Sequence, residues 1–415
     1  VRLAWRGAVA NRETEAIERS AECLFVYYLY KNGYDEGLSE FRRAAEAFAS
    51  PQAGQESDGS PKDLATPKEE ENLLGYLLAA QGYFLAHRRN LQKGQKLMKQ
   101  ALALLRRTAP VDRRNEAFAL LWLGWAHLFR GQRTEGKRCA GNSLALFSDK
   151  NDRWGEAWAQ LLLGVCIKDG RPAEAAEIFQ AGLDLCRDSG DQNVLSYLNH
   201  NIGWANKELG RYKQAQRQID QAVTISKKLD NMLGLGYSLF GRGRLEIALG
   251  KYRQASQTLE QCLTYFNKVG TVHTSRAQIY LGLAHHLQDD YEPARQWYNQ
   301  ALEGFKAANS TLELTRCLDC LGRLAYDRGE LDEAEQLHRE SLALLQEAEQ
   351  EPLLVADTTR YLGRLMVAKG EGRRAEALDF FRQALKLSLV HQLAPIALDV
   401  CASAAQLLAQ EGELE

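Results

Sequence analysis

The chain has 415 residues, 45% hydrophobic and 26% charged, which is enough apolar surface for a folded core and excludes global disorder. Lys and Arg number 52 against 54 Asp and Glu, a formal charge of -2, so no overall basic field exists to recruit nucleic acid or anionic lipid. Any such binding needs a local patch. The eight cysteines, Cys23, Cys139, Cys166, Cys186, Cys262, Cys317, Cys320 and Cys401, scatter without the tight spacing of a secreted disulfide scaffold. With no signal peptide and no apolar run long enough to span a bilayer, we expect reduced thiols in a cytoplasmic protein.

In chain order, Arg2 to Val9 reads as a short helix and Glu13 to Tyr30 as a longer one. Asn32-Gly33-Tyr34 makes a turn, and Gly37, Phe41 and Ala44 begin a return helix with the spacing of a buried stripe. Residues 1–49 are thus expected to form a degenerate N-terminal helical hairpin. Residues 50–69, with Pro51, Pro61 and Pro67 among Gly, Ser and Asp, read as a flexible loop.

A regular array is expected over 70–394. A small hairpin residue recurs at Gly82, Gly124, Gly164, Gly203, Gly243, Gly282, Gly322 and Gly363, at spacings of 39 to 42 residues. A turn residue follows about seven positions later at Gly131, Gly210, Gly250 and Gly329, with Gly170 one early, Gly372 two late, and Arg89 and Asp289 substituting. Ala175, Ala215, Ala255, Ala294, Ala334 and Ala377 mark the second helices. Residues 395–415 read as the start of a further repeat or a capping helix, and Glu411-Gly412-Glu413-Leu414-Glu415 resembles the turn and opening of another hairpin. With Val1 in place of a start methionine, we expect a fragment of a longer polypeptide. The expected fold is all-α, one continuous right-handed superhelix of about eight to ten helical hairpins.

These residues resemble the tetratricopeptide repeat (TPR) family over roughly residues 70–410: Leu281-Gly282, Tyr291, Ala294, Tyr298 and Ala301 fit its pattern closely. The usual period is about 34, and here it is near 40, as in the longer-helix branch of the family. Ser148 to Gly155, Arg187 to Asp191 and the opening Val1 to Trp5 resemble bacterial signal-transduction ATPases with numerous domains (STAND). That resemblance implies a C-terminal TPR array serving as inducer sensor, joined to an N-terminal nucleotide-binding domain of the same full-length chain.

The TPR resemblance further implies that first helices line a concave groove, with ligand-facing positions one after the hairpin glycine and three and six before it. The candidate ligand-binding residues are Tyr83, Trp125, Trp158, Tyr197, His200, Asn201, Trp204, Tyr237, Arg244, Arg276, Arg316, Arg323, Arg360 and Arg364. These rows are aromatic through the fourth unit and cationic from the fifth. Trp and Tyr anchor a partner at low entropy cost, and Arg grips carboxylate or phosphate through paired hydrogen bonds. The alternative is that the aromatics pack against neighbouring units, His200 is satisfied by a neighbouring side chain, and the arginines are solvated or paired with Asp319 and Asp357.

No catalytic centre, metal site or cofactor is expected. Gly131 to Lys137 imitates a phosphate-binding loop, but Arg138 stands where Ser or Thr belongs and no strand precedes it. Cys317-x-x-Cys320 lacks a second ligand pair, and His285-His286 lacks a zinc-protease context. The expected function is a sensor domain whose groove takes a peptide, protein or small-molecule inducer, with a constitutive scaffold or peptide-binding adaptor as the alternative. Neither a membrane nor direct nucleic-acid binding is expected.

Overall fold

A computed structural model describes residues 2–49, 68–88, 90–108, 113–189, 191–269, 273–307, 310–347, 352–390 and 394–409. Among these residues the protein is all α, without a strand. Three helices come first, α1 (Arg2–Ala10), α2 (Thr14–Tyr30) and α3 (Tyr34–Ala49). Hairpin partners follow: α4 (Lys68–His87) and α5 (Leu91–Arg107), α6 (Arg113–Phe129) and α7 (Arg133–Ser148), α8 (Arg153–Ile167) and α9 (Pro172–Ser189), α10 (Gln192–Glu208) and α11 (Tyr212–Lys228). Next come α12 (Met232–Ala248) and α13 (Tyr252–Val269). Then α14 (Thr274–His286) pairs with α15 (Tyr291–Ala307), α16 (Thr311–Asp327) with α17 (Leu331–Glu347), and α18 (Pro352–Ala368) with α19 (Arg374–Val390). The last helix, α20 (Ala394–Ala409), packs on α18 and α19. This is the all-α hairpin solenoid that the glycine spacing predicts.

The helices fall into two compact units, one of residues 1–248 with 264–271 and the other of 249–263 with 272–415, divided within α13. In the first unit each first helix also touches the first helix of the next hairpin, from α4 through α6, α8 and α10 to α12. In the second unit the same succession runs α14, α16, α18, α20. None of the described helices is long and apolar enough to cross a membrane.

Each hairpin closes on its small residue. A Cβ at Gly203 would stand 2.6 Å from Ile219 Cγ1 and 3.2 Å from the carbonyl oxygen of Ala215, so α10 and α11 meet backbone to side chain with no room for a methyl. The second-helix alanines named above are fully buried. Gly131, Gly210, Gly250 and Gly329 take φ between 71° and 78°, and Asp289 substitutes at φ 61°. This left-handed conformation costs glycine nothing and Asp little.

Three details differ from the sequence reading. In the α18–α19 connection the left-handed residue is Gly370 (φ 104°) rather than Gly372, because a 3-10 turn, Glu371–Arg373, is inserted before α19. Gly170 does not take the left-handed conformation. Helix α3 starts at Tyr34, ahead of Gly37, its first turn carrying Asp35 and Glu36 where the helix dipole favours them. Arg89, the closing Glu411–Glu415 and the expected loop lie outside the described residues, apart from Lys68 and Glu69, which open α4.

Gly203→Val is expected to lose about 1–3 kcal/mol in urea unfolding through overpacking against Ile219. Gly210→Asn, which can hold the turn, is expected to lose less. Equal stability of Gly203→Val and the parent chain would contradict the close approach of α10 and α11.

Candidate functional site

In the first unit, the face built by first helices carries a ladder of rings. Tyr76 meets Phe118 at 6.0 Å, Trp158 meets Tyr197 at 6.1 Å, and Tyr197 meets Tyr237 at 6.0 Å, each pair joining successive hairpins. The aromatics six before the hairpin glycine therefore pack on one another, with Tyr76, Phe118 and Trp158 buried and Tyr197 and Tyr237 partly so.

The start of this face is covered by the chain itself. Helix α2 lays Phe25 on Trp122 (4.3 Å between ring centroids) and on Tyr83 (5.3 Å). Glu22 pairs with Arg114 of α6, and the Tyr30 hydroxyl donates to Asp191 Oδ2 at 2.7 Å. Asp191 also accepts from Trp154 Nε1 (2.5 Å) and caps α10 through the amides of Asn193 and Val194. Tyr83 is consequently buried beneath Phe25 rather than open to a ligand. Trp125, half-buried beside Phe129, and Trp158 line what is left of the cleft under Phe25 and Leu29, a gap of about 10 Å³, room for roughly one water molecule.

Beyond α2 the face changes character. His200, Asn201 and Trp204 of α10 stand beside Lys168 at the end of α8. The Lys168 ammonium donates to Asn201 Oδ1 at 3.1 Å and lies 4.9 Å from the centre of the Trp204 ring. Lys207 and Arg244 share Glu208, at 2.7 and 3.2 Å. Tyr237 sits 6.0 Å from His200, and the Tyr197 hydroxyl accepts from Asn231 at 3.4 Å. The indole N–H groups of Trp158 and Trp204 are buried with no acceptor among the described residues, and His200 Nδ1, pressed against Gly241, has no partner. Burial, with the charges of Lys168 and Arg244, pushes the His200 imidazole down to about 3, and burial pushes Tyr197 up to about 12.

In the second unit the arginines surround one ring. Arg323, Arg360 and Arg364 lie 5.2, 4.3 and 6.0 Å from the centre of Tyr361, whose ring stacks on His338 at 5.6 Å. Arg360 is held by Asp357 (2.5 Å) and Asp399, and Arg276 is held by Glu313, which Arg316 approaches at 3.8 Å. Among the described residues the Asp319 carboxylate pairs with none of these arginines, and Arg323 Nε donates only to its backbone carbonyl at 3.4 Å. The Asp319 carboxylate accepts from Thr358 at 2.8 Å and bonds His338 at 3.1 Å in a buried network. Arg323 and Arg364 have no carboxylate at ion-pair distance among the described residues.

The other motifs are structural parts of the repeats. Gly131 is the left-handed turn residue, and Cys317 is buried in α16 with its thiol donating to the Tyr298 carbonyl at 3.1 Å. His286 bonds Asp327 at 2.8 Å while His285 faces Asp290.

Sequence reasoning missed Lys168, Lys207, Tyr361 and the covering residues of α2. Lys168 and Lys207 each stand four after a hairpin glycine, one helical turn beyond the positions read, so extending the rows would have found both. Tyr361 stands two before its glycine, off those rows, and nothing in the spacing of α2 marks it as a cover.

Folded His200 stays neutral down to about pH 3, whereas in the unfolded chain it takes up a proton near pH 6.5. Its contribution to stability is full above pH 6.5 and declines as pH falls from there towards 3, by up to about 1.4 kcal/mol per pH unit. His87, which burial pushes down to about 4, acts in the same direction. His200→Gln is expected to flatten the acid loss of stability between pH 6 and 4.5 by about 1 kcal/mol per pH unit, read by urea unfolding across that range. An unchanged slope would mean that His200 ionises alike in both states.

Tetratricopeptide repeat models match residues 196–229, 234–307 and 314–350. No curated protein matches the chain. Among solved structures, the Rap conjugation gene regulator of plasmid pLS20 in complex with the Phr* peptide is 15% identical, the match covering 85% of this chain and 96% of that one with a TM-score of 0.59. The apo form of the quorum sensor NprR from B. thuringiensis is 12% identical, covering 89% and 99% with a TM-score of 0.57. A STAND protein with a tetratricopeptide repeat sensor from Pyrococcus horikoshii is 13% identical, covering 93% of this chain and 66% of that one with a TM-score of 0.52. At these identities the likeness is one of fold. The matched segments carry tetratricopeptide repeats, spaced here at about 40 residues, and in fold the chain resembles the sensor-bearing STAND protein.

Proposed function

We propose that this chain is a ligand-binding repeat domain, a cytoplasmic sensor for a peptide or other inducer within a larger bacterial signalling ATPase or transcriptional regulator. The observation that carries the reading is the buried indole donor of Trp204, left without an acceptor beside Lys168 and Asn201 on the face built by α8, α10 and α12. A buried N–H without a partner costs about 1–3 kcal/mol, and a carbonyl from a bound chain would recover it. An extended peptide supplies carbonyls at regular spacing, while Tyr197 and Tyr237 on the same face offer apolar area. The fold likeness to a regulator solved with its Phr* peptide and to a quorum sensor supports the ligand class, and the STAND likeness supports the larger assembly. Arg323 and Arg364, in the second unit, are suited to an acidic group.

A ligand changes the state of such a domain only by binding one conformation better than another. The ties of α2 to Arg114, Tyr83, Trp122 and Asp191 fix the first half of the face, so in this reading the second half is where occupancy can vary. A constitutive scaffold or peptide-binding adaptor is the second reading, favoured by α2 already filling the aromatic start of the face. In both readings the chain is a binding module and not an enzyme.

The test is tryptophan fluorescence titrated with a pool of short peptides, comparing the parent chain with Trp204→Phe, which keeps a ring and removes the donor. A saturable response weakened about tenfold in the variant, the worth of one hydrogen bond, is expected. No saturable response from the folded parent chain would favour the scaffold.

A further inference from the structure

The near-zero net charge of the chain conceals one strongly basic surface. Helix α5 carries Lys93, Lys96, Lys99, Arg106 and Arg107 and no acidic residue. All five are exposed, within one face of the helix, and the other exposed positions there are Gln92, Gln100 and Ala103. Arg106 is held by Glu116 at 2.8 Å and Arg107 by Glu71 at 2.9 Å. The three lysines have no carboxylate at ion-pair distance among the described residues.

Helix α7 continues the surface. It adds Arg133, which Asp169 holds, and Lys137 and Arg138 beside the helix's one carboxylate, Glu135, which Arg138 occupies at 2.5 Å. Exposed Lys137, like the α5 lysines, has no acidic partner at that distance among the described residues. Lys99 stands near enough to act on Glu135 and on His127, so the charges of α5 and α7 belong to one patch. Beyond it the sign reverses, since α9 exposes Glu174, Glu177 and Asp184.

We propose that the α5–α7 surface binds the phosphodiester backbone of a nucleic acid without reading its bases. Charge complementarity identifies an anion, and the absence of any large apolar side chain on the exposed face of α5 identifies which kind. An acidic protein surface needs buried aromatic or aliphatic anchors to hold, because exposed ion pairs contribute only about 0–1 kcal/mol each. A nucleic acid needs none, since each phosphate that a lysine neutralises releases condensed counterions and the affinity follows from charge alone. Four unpaired lysines correspond to a slope of log affinity against log salt of about -3 to -4 on duplex DNA. The surface lies on the second helices of two successive hairpins.

The experiment is fluorescence anisotropy of the full chain with two labelled DNA duplexes of unrelated sequence, from about 20 mM salt upward, where phosphate contacts are strongest. The parent chain is expected to bind both duplexes alike, with that slope. K93Q/K96Q/K99Q, checked for unchanged helicity, is expected to bind at least about tenfold more weakly with a slope shallower by about 2–3, and K93R/K96R/K99R to bind like the parent. Absence of binding at low salt, equal binding by the Gln variant, or preference for one duplex would overturn the proposal. Tighter binding of a polyglutamate chain than of DNA would also overturn it and assign the surface to an acidic protein.

Discussion

The packing of each hairpin rests on two helices meeting at a residue that has no side chain. At Gly203 the approach leaves no space for a methyl, and at Gly322 a Cβ would stand 2.7 Å from the His338 ring. Bringing the helices this close lets Ile219, Tyr298 or Phe381 cover the glycine of the partner helix, so in these hairpins one large side chain seals a joint whose glycine recurs about every 40 residues. Stability then comes from neighbours, each hairpin burying the face that the previous one leaves open. Because the joint uses only the inner side of each helix, the outer sides are released from packing and can take any charge. Helix α5 is wholly basic in its ionisable residues while α9 is mainly acidic, with the same joint beneath both.

The first-helix face follows from the same geometry. Residues in register stack ring on ring along the first unit, and what differs from hairpin to hairpin is what lies on top. Over α4 and α6 the covering element is α2, fastened by the Glu22–Arg114 pair and the Tyr30–Asp191 hydrogen bond. Over α8, α10 and α12 the polar groups gather instead: Lys168 on Asn201 and Trp204, neutral His200, and the Trp204 indole donor without an acceptor. Unpaired buried donors are costly, and natural proteins keep few of them. This one, beside an aromatic row, is the physical basis for placing a ligand there.

The fold was legible because its determinants are local and periodic. Gly82 through Gly363 recur at near-constant spacing, and second-helix alanines follow twelve residues later at Ala215, Ala255, Ala294 and Ala334, with Ala175 one early and Ala377 two late. The site was legible in part. Trp204, His200 and Asn201 stand together where their positions in α10 put them, since neighbours on one helix face are set by the helical period. Pairing partners are not set by that period, so Glu313 under Arg276, Asp399 under Arg360 and His338 under Asp319 could not be read from rows. The cover by α2 joins residues up to 161 positions apart, Tyr30 to Asp191, and spacing says nothing of such contacts. The local basic patch was missed for another reason: summing charge over the chain averaged α5 against the acidic helices.

The central claim is that a peptide engages the open part of the first-unit face while α2 keeps its place over the rest. The most direct measurement is the set of indole N–H resonances of the seven tryptophans, recorded by nitrogen-15 NMR with and without the peptide pool. The account predicts that the Trp204 resonance moves as its donor gains an acceptor, and that Trp5 and Trp122, packed on Phe41 and Phe25, stay still. Movement of Trp122 with Trp204 unchanged would contradict it, because the peptide would then be displacing α2 rather than binding beyond it.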